Sequence, residues 1–217
     1  DKFRYKMSKA GFFCHEKTLN AQEYGVPQRR KRYILIGERL DSDELFFRWP
    51  LRSKSDLRTV RDTIAWLPAA PETGKSHEDF ALHRADKLSE KNLERIRAIK
   101  SGQSREDLPA HLLAECHKRS AAEIGHRNVY GRMDWDDVAP TITARFDSFT
   151  RGKFGHPEQD RSISLMEGAL LQTFPQDYIF IGNKVDVARQ IGNAVPPLLA
   201  QKIGTSIIEA LRERHGI

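Results

Sequence analysis

Gly25-Val26-Pro27-Gln28-Arg29-Arg30-Lys31-Arg32-Tyr33-Ile34-Leu35-Ile36-Gly37 is the stretch on which the fold turns. A Gly-Val-Pro turn leads into a basic run, which passes without a break into an apolar segment of β-branched and aromatic residues. That composition suits a buried strand. Along an extended chain, side chains alternate between two faces. Gln28, Arg30 and Arg32 therefore share one face, and Arg29 and Lys31 share the other. Two guanidiniums aimed one way can hold a carboxylate, a phosphate or a base edge in a fixed geometry that lysines do not reproduce. The alternative is a solvated basic strand end.

Working outward, residues 1–40 read as a compact α/β piece. The stretch from Asp41 to about Arg84 is irregular, broken by Pro50, Pro68, Pro71 and Gly74. One clear helix follows: Ser89 caps it, Leu93, Ile96 and Ile99 line one side, and Gly102 ends it. Residues 103–160 are again polar and broken, with Trp135, Phe146, Phe149 and Phe154 set among Arg127, Arg132, Arg145 and Arg151. Ser164 and Glu167 form a capping box that opens a short apolar helix closed by Pro175. In Gln190-Ile191-Gly192-Asn193-Ala194-Val195-Pro196-Pro197, the Gly-Asn pair permits unusual backbone angles before a helix started by Pro197. Leu199, Ile203, Ile207 and Leu211 then form a core-facing stripe.

Composition bounds the partners. The chain has 217 residues, with 36 Lys and Arg against 30 Asp and Glu, a net charge of +6. This balance favours a polyanionic partner without naming it. The best apolar runs, Tyr33 to Gly37 and Tyr178 to Gly182, are strand-length, far short of a membrane span. The first twenty residues hold no basic region followed by an apolar core, so no signal peptide is expected. Cys14 and Cys116 read as reduced cytosolic thiols, and His111, Cys116 and His117 lack zinc spacing with a fourth ligand; no metal is expected.

Three segments in this order resemble the C-terminal half of the DNA (cytosine-5) methyltransferases, the part holding the target-recognition domain and motifs VIII, IX and X. They are Tyr24-Gly25-Val26-Pro27-Gln28-x-Arg30-x-Arg32, Ser164-Leu165-Met166-Glu167 through Leu171-Gln172-Thr173-Phe174-Pro175, and Gln190-x-Gly192-Asn193-x-Val195-Pro196. In the middle, Ala139-Pro140-Thr141-Ile142-Thr143 resembles the family's Thr-Leu element, with Ile142 in place of Leu. The family has Thr at Ser164 and Arg at Met166. The Ser keeps the cap, and the Met removes a charge.

The resemblance implies an α/β fold: the C-terminal portion of an S-adenosylmethionine-dependent methyltransferase with an irregular small target-recognition domain. Residues 1–40 would close the catalytic domain, 41–185 would form the recognition domain, and 186–217 would be the hinge and a helix returning to the catalytic domain. It further implies that Arg32 reaches the flipped cytosine or its phosphate, and that Arg30 and Gln28 brace the active-site wall. Asn193, Ala194 and Val195 would wall the S-adenosylmethionine pocket. The Thr141 or Thr143 hydroxyl would meet the phosphate beside the flipped nucleotide, and Arg145, Arg151 and Lys153 could touch further phosphates, which position DNA without reading it.

The family's chemistry needs more. A Pro-Cys thiolate adds to carbon 6 of cytosine, making carbon 5 nucleophilic toward the methyl of S-adenosylmethionine. A Glu-Asn-Val motif and a Phe-x-Gly-x-Gly cofactor loop complete the site. None of these motifs occurs in this sequence. The expected partners are therefore double-stranded DNA and a catalytic half, in the same polypeptide or a separate subunit, in a prokaryotic cytoplasm and a restriction-modification setting. Alone, the chain is expected to be inactive. It begins at Asp1, so a fragment, a split-enzyme subunit and a remnant are open; the intact ends argue against a remnant. Two other readings are a stand-alone DNA-binding module and a fragment of the family's tRNA-methylating branch.

Overall fold

A computed structural model describes residues 2–41, 44–52, 57–71, 74–84, 86–113 and 129–217. Cys116, His117 and Arg127 lie outside the described residues. The elements in chain order are α1 (Lys2–Lys9), β1 (Phe12–Asn20), β2 (Lys31–Arg39), α2 (Val60–Ile64), α3 (Glu90–Arg97), α4 (Leu165–Leu171), α5 (Lys184–Asn193) and α6 (Pro197–His215). No helix among the described residues is long and apolar enough to cross a membrane.

β1 and β2 pair antiparallel, from Phe12 opposite Arg39 to Asn20 opposite Lys31. The apolar run Tyr33 to Gly37 lies inside β2, but the strand is not buried as its composition suggests. Tyr33 is 60% exposed, Gly37 is exposed and Ile34 to Ile36 are half-buried, because a two-stranded sheet covered by α6 on one face leaves its other face open. The register places Leu19, Ile34 and Ile36 on one face, and α6 packs across that face through Leu199, Ile203 and Ile207. The link between the strands is itself part of this core. Ala21, Tyr24 and Val26 are buried, and Gly25 adopts φ +82°, the left-handed region that favours glycine.

α6 begins at Pro197 as read, but its apolar stripe does not stay inside. Leu199 and Ile203 are buried, whereas Leu211 is 50% exposed. A step of four residues overshoots a 3.6-residue turn, so the stripe drifts by about 40° per step and leaves the core. The run Tyr178 to Gly182 is not a strand. It is irregular chain, with Ile179 and Ile181 each more than four-fifths exposed.

The irregular middle is held by side chains in place of a sheet. One core joins α2, α4 and α5 through Val60, Ile64, Leu171 and Ile191, with Met133, Ile142, Phe146 and Phe154 supplied by loops. A second gathers Ile96, Ile99, Leu108, Leu112 and Phe149. Loop carbonyls with no ladder partner still need donors. Buried Arg132 donates to the carbonyls of Ile99 (3.0 Å), His156 (2.9 Å) and Gln159 (2.7 Å) in loops, and to that of Ile96 (3.1 Å) in the last turn of α3. Arg95 does the same for Leu112 at 2.8 Å. Part of the basic composition is therefore spent on folding.

α3 starts at its Ser89 cap, but it ends at Arg97 and not near Gly102. Ile99 is buried beyond the helix, and Gly102 turns the chain at φ +78°. At α4 the Ser164 hydroxyl accepts from Glu167 N at 3.1 Å, and the Glu167 carboxylate accepts from Ser164 N at 2.6 Å. The same carboxylate receives both terminal nitrogens of Arg161 at 2.7 Å. That pairing is what makes a fully enclosed charge tolerable. Two residues past the end of α4, Thr173 adopts a φ of +67°, uncommon for a β-branched residue. Its hydroxyl accepts from Leu198 N at 3.1 Å and so caps the start of α6 from outside.

Candidate nucleic-acid interface

The segment after Pro27 is extended, and burial alternates along it. Gln28 and Arg30 are buried, Arg29 and Lys31 are exposed, and Arg32 is half-buried. The facing expected from the spacing is present. Its use is more specific than two free guanidiniums, because Gln28 and Arg30 are consumed by the protein.

Gln28 donates to the Leu171 carbonyl (2.9 Å) and to Gln172 Oε1 (2.6 Å), and its own Oε1 accepts from Ile142 N (3.1 Å). Gln172 passes the connection on to the Ile191 carbonyl at 2.6 Å. Arg30 donates to the carbonyls of Ile142 (2.7 Å), Gly192 (2.8 Å) and Ala194 (2.9 Å). No carboxylate pairs with it among the described residues. Burial, and secondarily the charge of Arg32, push its guanidinium down to about 10. Four stretches distant in sequence thus meet at two side chains: the Gln-x-Arg-x-Arg run, the Thr141–Thr143 element, the end of α4 and the end of α5.

Gly192 is where backbone meets backbone. A Cβ there would lie 2.2 Å from the carbonyl carbon and oxygen of Thr143. The unusual angles expected of the Gly-Asn pair are not found; both residues are in the last turn of α5, and neither has a positive φ. The glycine is needed for close approach and not for conformation. α5 itself was not anticipated, although Asn183 caps it by accepting from Val185 N and Asp186 N. The boundary expected at 185/186 falls inside this helix.

Around this junction stand the remaining candidates. Arg32 donates to the Lys31 carbonyl at 2.8 Å and has no acidic partner among the described residues, so most of its fork is unspent. Thr141 donates to the Arg29 carbonyl, while Thr143 is exposed. Asn193 and Val195 are exposed and Ala194 is half-buried, on a turn whose carbonyls Arg30 and Gln172 fix in place. Arg145 lies 3.5 Å from Asp147. Arg151 is exposed, with no side-chain partner among the described residues. Lys153 is less available than expected, because its ammonium donates to the Gly102 carbonyl.

Cys14 is half-buried on β1 opposite Gly37. It is six residues from the Asn20 end, about 20 Å along the strand from the junction. Nothing at the junction bears on it.

The C-5 cytosine-specific DNA methylase family model matches residues 1–209. The type II methylase M.HgiDII of Herpetosiphon aurantiacus is 40% identical, covering 99% of this chain and 62% of that protein. The type II methyltransferase M1.HphI of Haemophilus parahaemolyticus is 34% identical over 94% of this chain and 50% of its own length. This chain therefore spans roughly half to three-fifths of those relatives. Among solved structures, a DNA modification methyltransferase encoded within an Escherichia coli prophage superposes with a TM-score of 0.67 at 21% identity, over 97% of this chain and 64% of that one. The fold is thus the α/β methyltransferase fold, and the chain belongs to the C-5 cytosine-specific DNA methylase family.

Proposed function

We propose that this chain is the target-recognition part of a DNA cytosine-5 methyltransferase, working with a catalytic segment that carries the Pro-Cys nucleophile and the cofactor loop. The single observation that carries this reading is the junction. Gln28 and Arg30 lock four separate stretches together, and Arg32, Thr143 and Asn193, each within two residues of a group bonded in this junction, keep exposed or half-buried side chains with no acidic partner among the described residues. Such an arrangement braces a site; it does not perform covalent chemistry by itself.

In this reading Arg32 holds the extruded cytosine or its phosphate, which helps offset the few kcal/mol that unstacking costs. Thr143 meets the adjacent phosphate. The loop Asn193–Val195 forms one wall of the S-adenosylmethionine pocket; the exposed amide of Asn193 and the exposed Val195 suit a ligand with polar and apolar edges. S-Adenosylmethionine supplies the methyl group when bound. Arg151 contributes to the electrostatic hold on the duplex backbone. The setting follows the bacterial relatives: a restriction-modification methylase acting in the cytoplasm.

The test joins this chain to the portion of the Herpetosiphon aurantiacus relative that it does not span, and measures transfer of a labelled methyl group to duplex DNA. Transfer by the joined protein and none by the chain alone is expected. Transfer by the chain alone contradicts the proposal.

A further inference from the structure

Among the described exposed cations beyond the junction, Arg145 alone faces a buried carboxylate. The Asp147 side chain is 5% exposed, and its other oxygen is bound by Lys184 Nζ at 2.9 Å. Lys184 also pairs with Asp86. Lys184 therefore fixes Asp147 from behind, and because this one cation is shared with Asp86, the pair of carboxylates keeps a net negative charge toward Arg145. The remaining Asp147 oxygen lies 3.5 Å from Arg145 Nε, on the inner edge of the guanidinium. Both terminal nitrogens are left free, and no other partner engages them among the described residues. The Arg145 side chain is half exposed.

Position matters as much as the pairing. In the turn after Thr143, Phe146 is buried and its N–H donates to the Thr143 carbonyl at 3.1 Å, while Thr143 and Arg145 are exposed. Thr143 and Arg145 thus leave the body on its solvent side within one turn. A fork whose Nε edge faces a fixed carboxylate and whose Nη edge is open matches the two acceptors that guanine offers in the major groove. Arg151 differs: it is exposed and has no partner among the described residues, the state of a side chain that follows a phosphate.

We infer that Arg145 reads a guanine in the target sequence, with Asp147 as its positioning residue. The inference rests on the proposed role in DNA recognition and adds to it which side chain selects a base.

The test is selection of binding sites from random duplex DNA by the full chain, followed by sequencing. Wild type is expected to enrich a motif with one strongly preferred guanine. Arg145→Ala should lower discrimination at that position alone by about 5- to 150-fold, and Arg145→Lys should not restore it. Asp147→Asn should relax the same position without changing the salt dependence of binding. Arg151→Ala should weaken binding to all sequences and reduce the salt slope by about 1, with the motif intact. If Arg145→Ala behaves like Arg151→Ala, with every position retained, the assignment is overturned. A selection that yields no motif removes the DNA-recognition reading, and this inference with it.

Discussion

Arg30 donates to the Gly192 carbonyl at 2.8 Å across 162 residues of sequence. This bond ties the basic run after the Gly-Val-Pro turn to the last turn of α5. With the bonds to Ile142 and Ala194, it makes one buried cation the common donor of backbone that has no sheet to pair with.

Removing that cation should cost far more than removing its neighbour. Arg30→Ala leaves three carbonyls without their donor, and about 3–5 kcal/mol of unfolding free energy should be lost. Arg29→Ala removes only an exposed pair with Asp137 and should cost no more than about 1 kcal/mol. Urea denaturation of both variants measures the difference. Equal midpoints would show that the Arg30 bonds contribute nothing.

Acid should destabilise the chain in two windows. Burial holds His156 down to about 4, against an ordinary 6.5, and its Nδ1 accepts from Glu158 N and Gln159 N. The unfolded chain therefore takes up that proton from pH 6.5 downward while the native state refuses it until about pH 4. Stability should fall by about 3 kcal/mol across this range, with buried His83 acting in the same direction. Glu167 adds a lower window. Burial opposes its ionisation, but Arg161, His156 and the Ser164 N–H outweigh that and hold it at about 2, against 4.5 unfolded. Its contribution is complete above pH 4.5 and is lost as the pH falls toward 2. His156→Asn, whose amide oxygen can replace Nδ1 as acceptor, should flatten the upper window in a plot of urea midpoint against pH. A wild-type midpoint constant from pH 6.5 to 4.5 would refute the assignment.

Two glycine substitutions should have opposite signs. In Gly192→Ala the new methyl meets Thr143 backbone at 2.2 Å, and a loss of about 1–3 kcal/mol or more is expected. In Gly204→Ala, within α6, the methyl meets nothing within 4 Å. There the gain in helix propensity should stabilise by about 1 kcal/mol. Thermal melts of both variants test this. Stabilisation by Gly192→Ala would mean that the close approach to Thr143 is not real.

Arg32→Ala should reduce methyl transfer by the joined enzyme far more than Arg29→Ala. Arg32 lies on the Arg30 side of the alternation, close enough for the two charges to interact, whereas Arg29 is tied outward to Asp137. Turnover with a cognate duplex is the readout. Equal losses would remove the argument from facing.

What the sequence made legible was local. The Ser164 and Glu167 box, the apolar run in β2 and the start at Pro197 each depend on neighbours within a turn or two. β1 was missed because His15, Glu16 and Lys17 interrupt its apolar pattern. For α5 the signals conflict: Asn183 and the spacing of Val187, Ala188 and Ile191 announce a helix, while the Gly-Asn pair at its end has the composition of a turn. At the site, alternation gave the facing of Gln28, Arg30 and Arg32. That Arg30 would be buried against carbonyls was not readable, because its partners lie more than a hundred residues away. Arg132 shows the same limit: a side chain set among exposed-looking basic residues is a buried donor to one carbonyl at the end of α3 and three in loops.

The most direct measurement traps the covalent intermediate. The chain, mixed or joined with its catalytic segment, is incubated with duplex DNA containing fluorocytosine and S-adenosylmethionine, and the crosslinked peptide is identified by mass spectrometry. A crosslink on a Pro-Cys cysteine of the catalytic segment, with the thiols of Cys14 and Cys116 unmodified, is the expected result. A crosslink to either of those two cysteines would contradict the account.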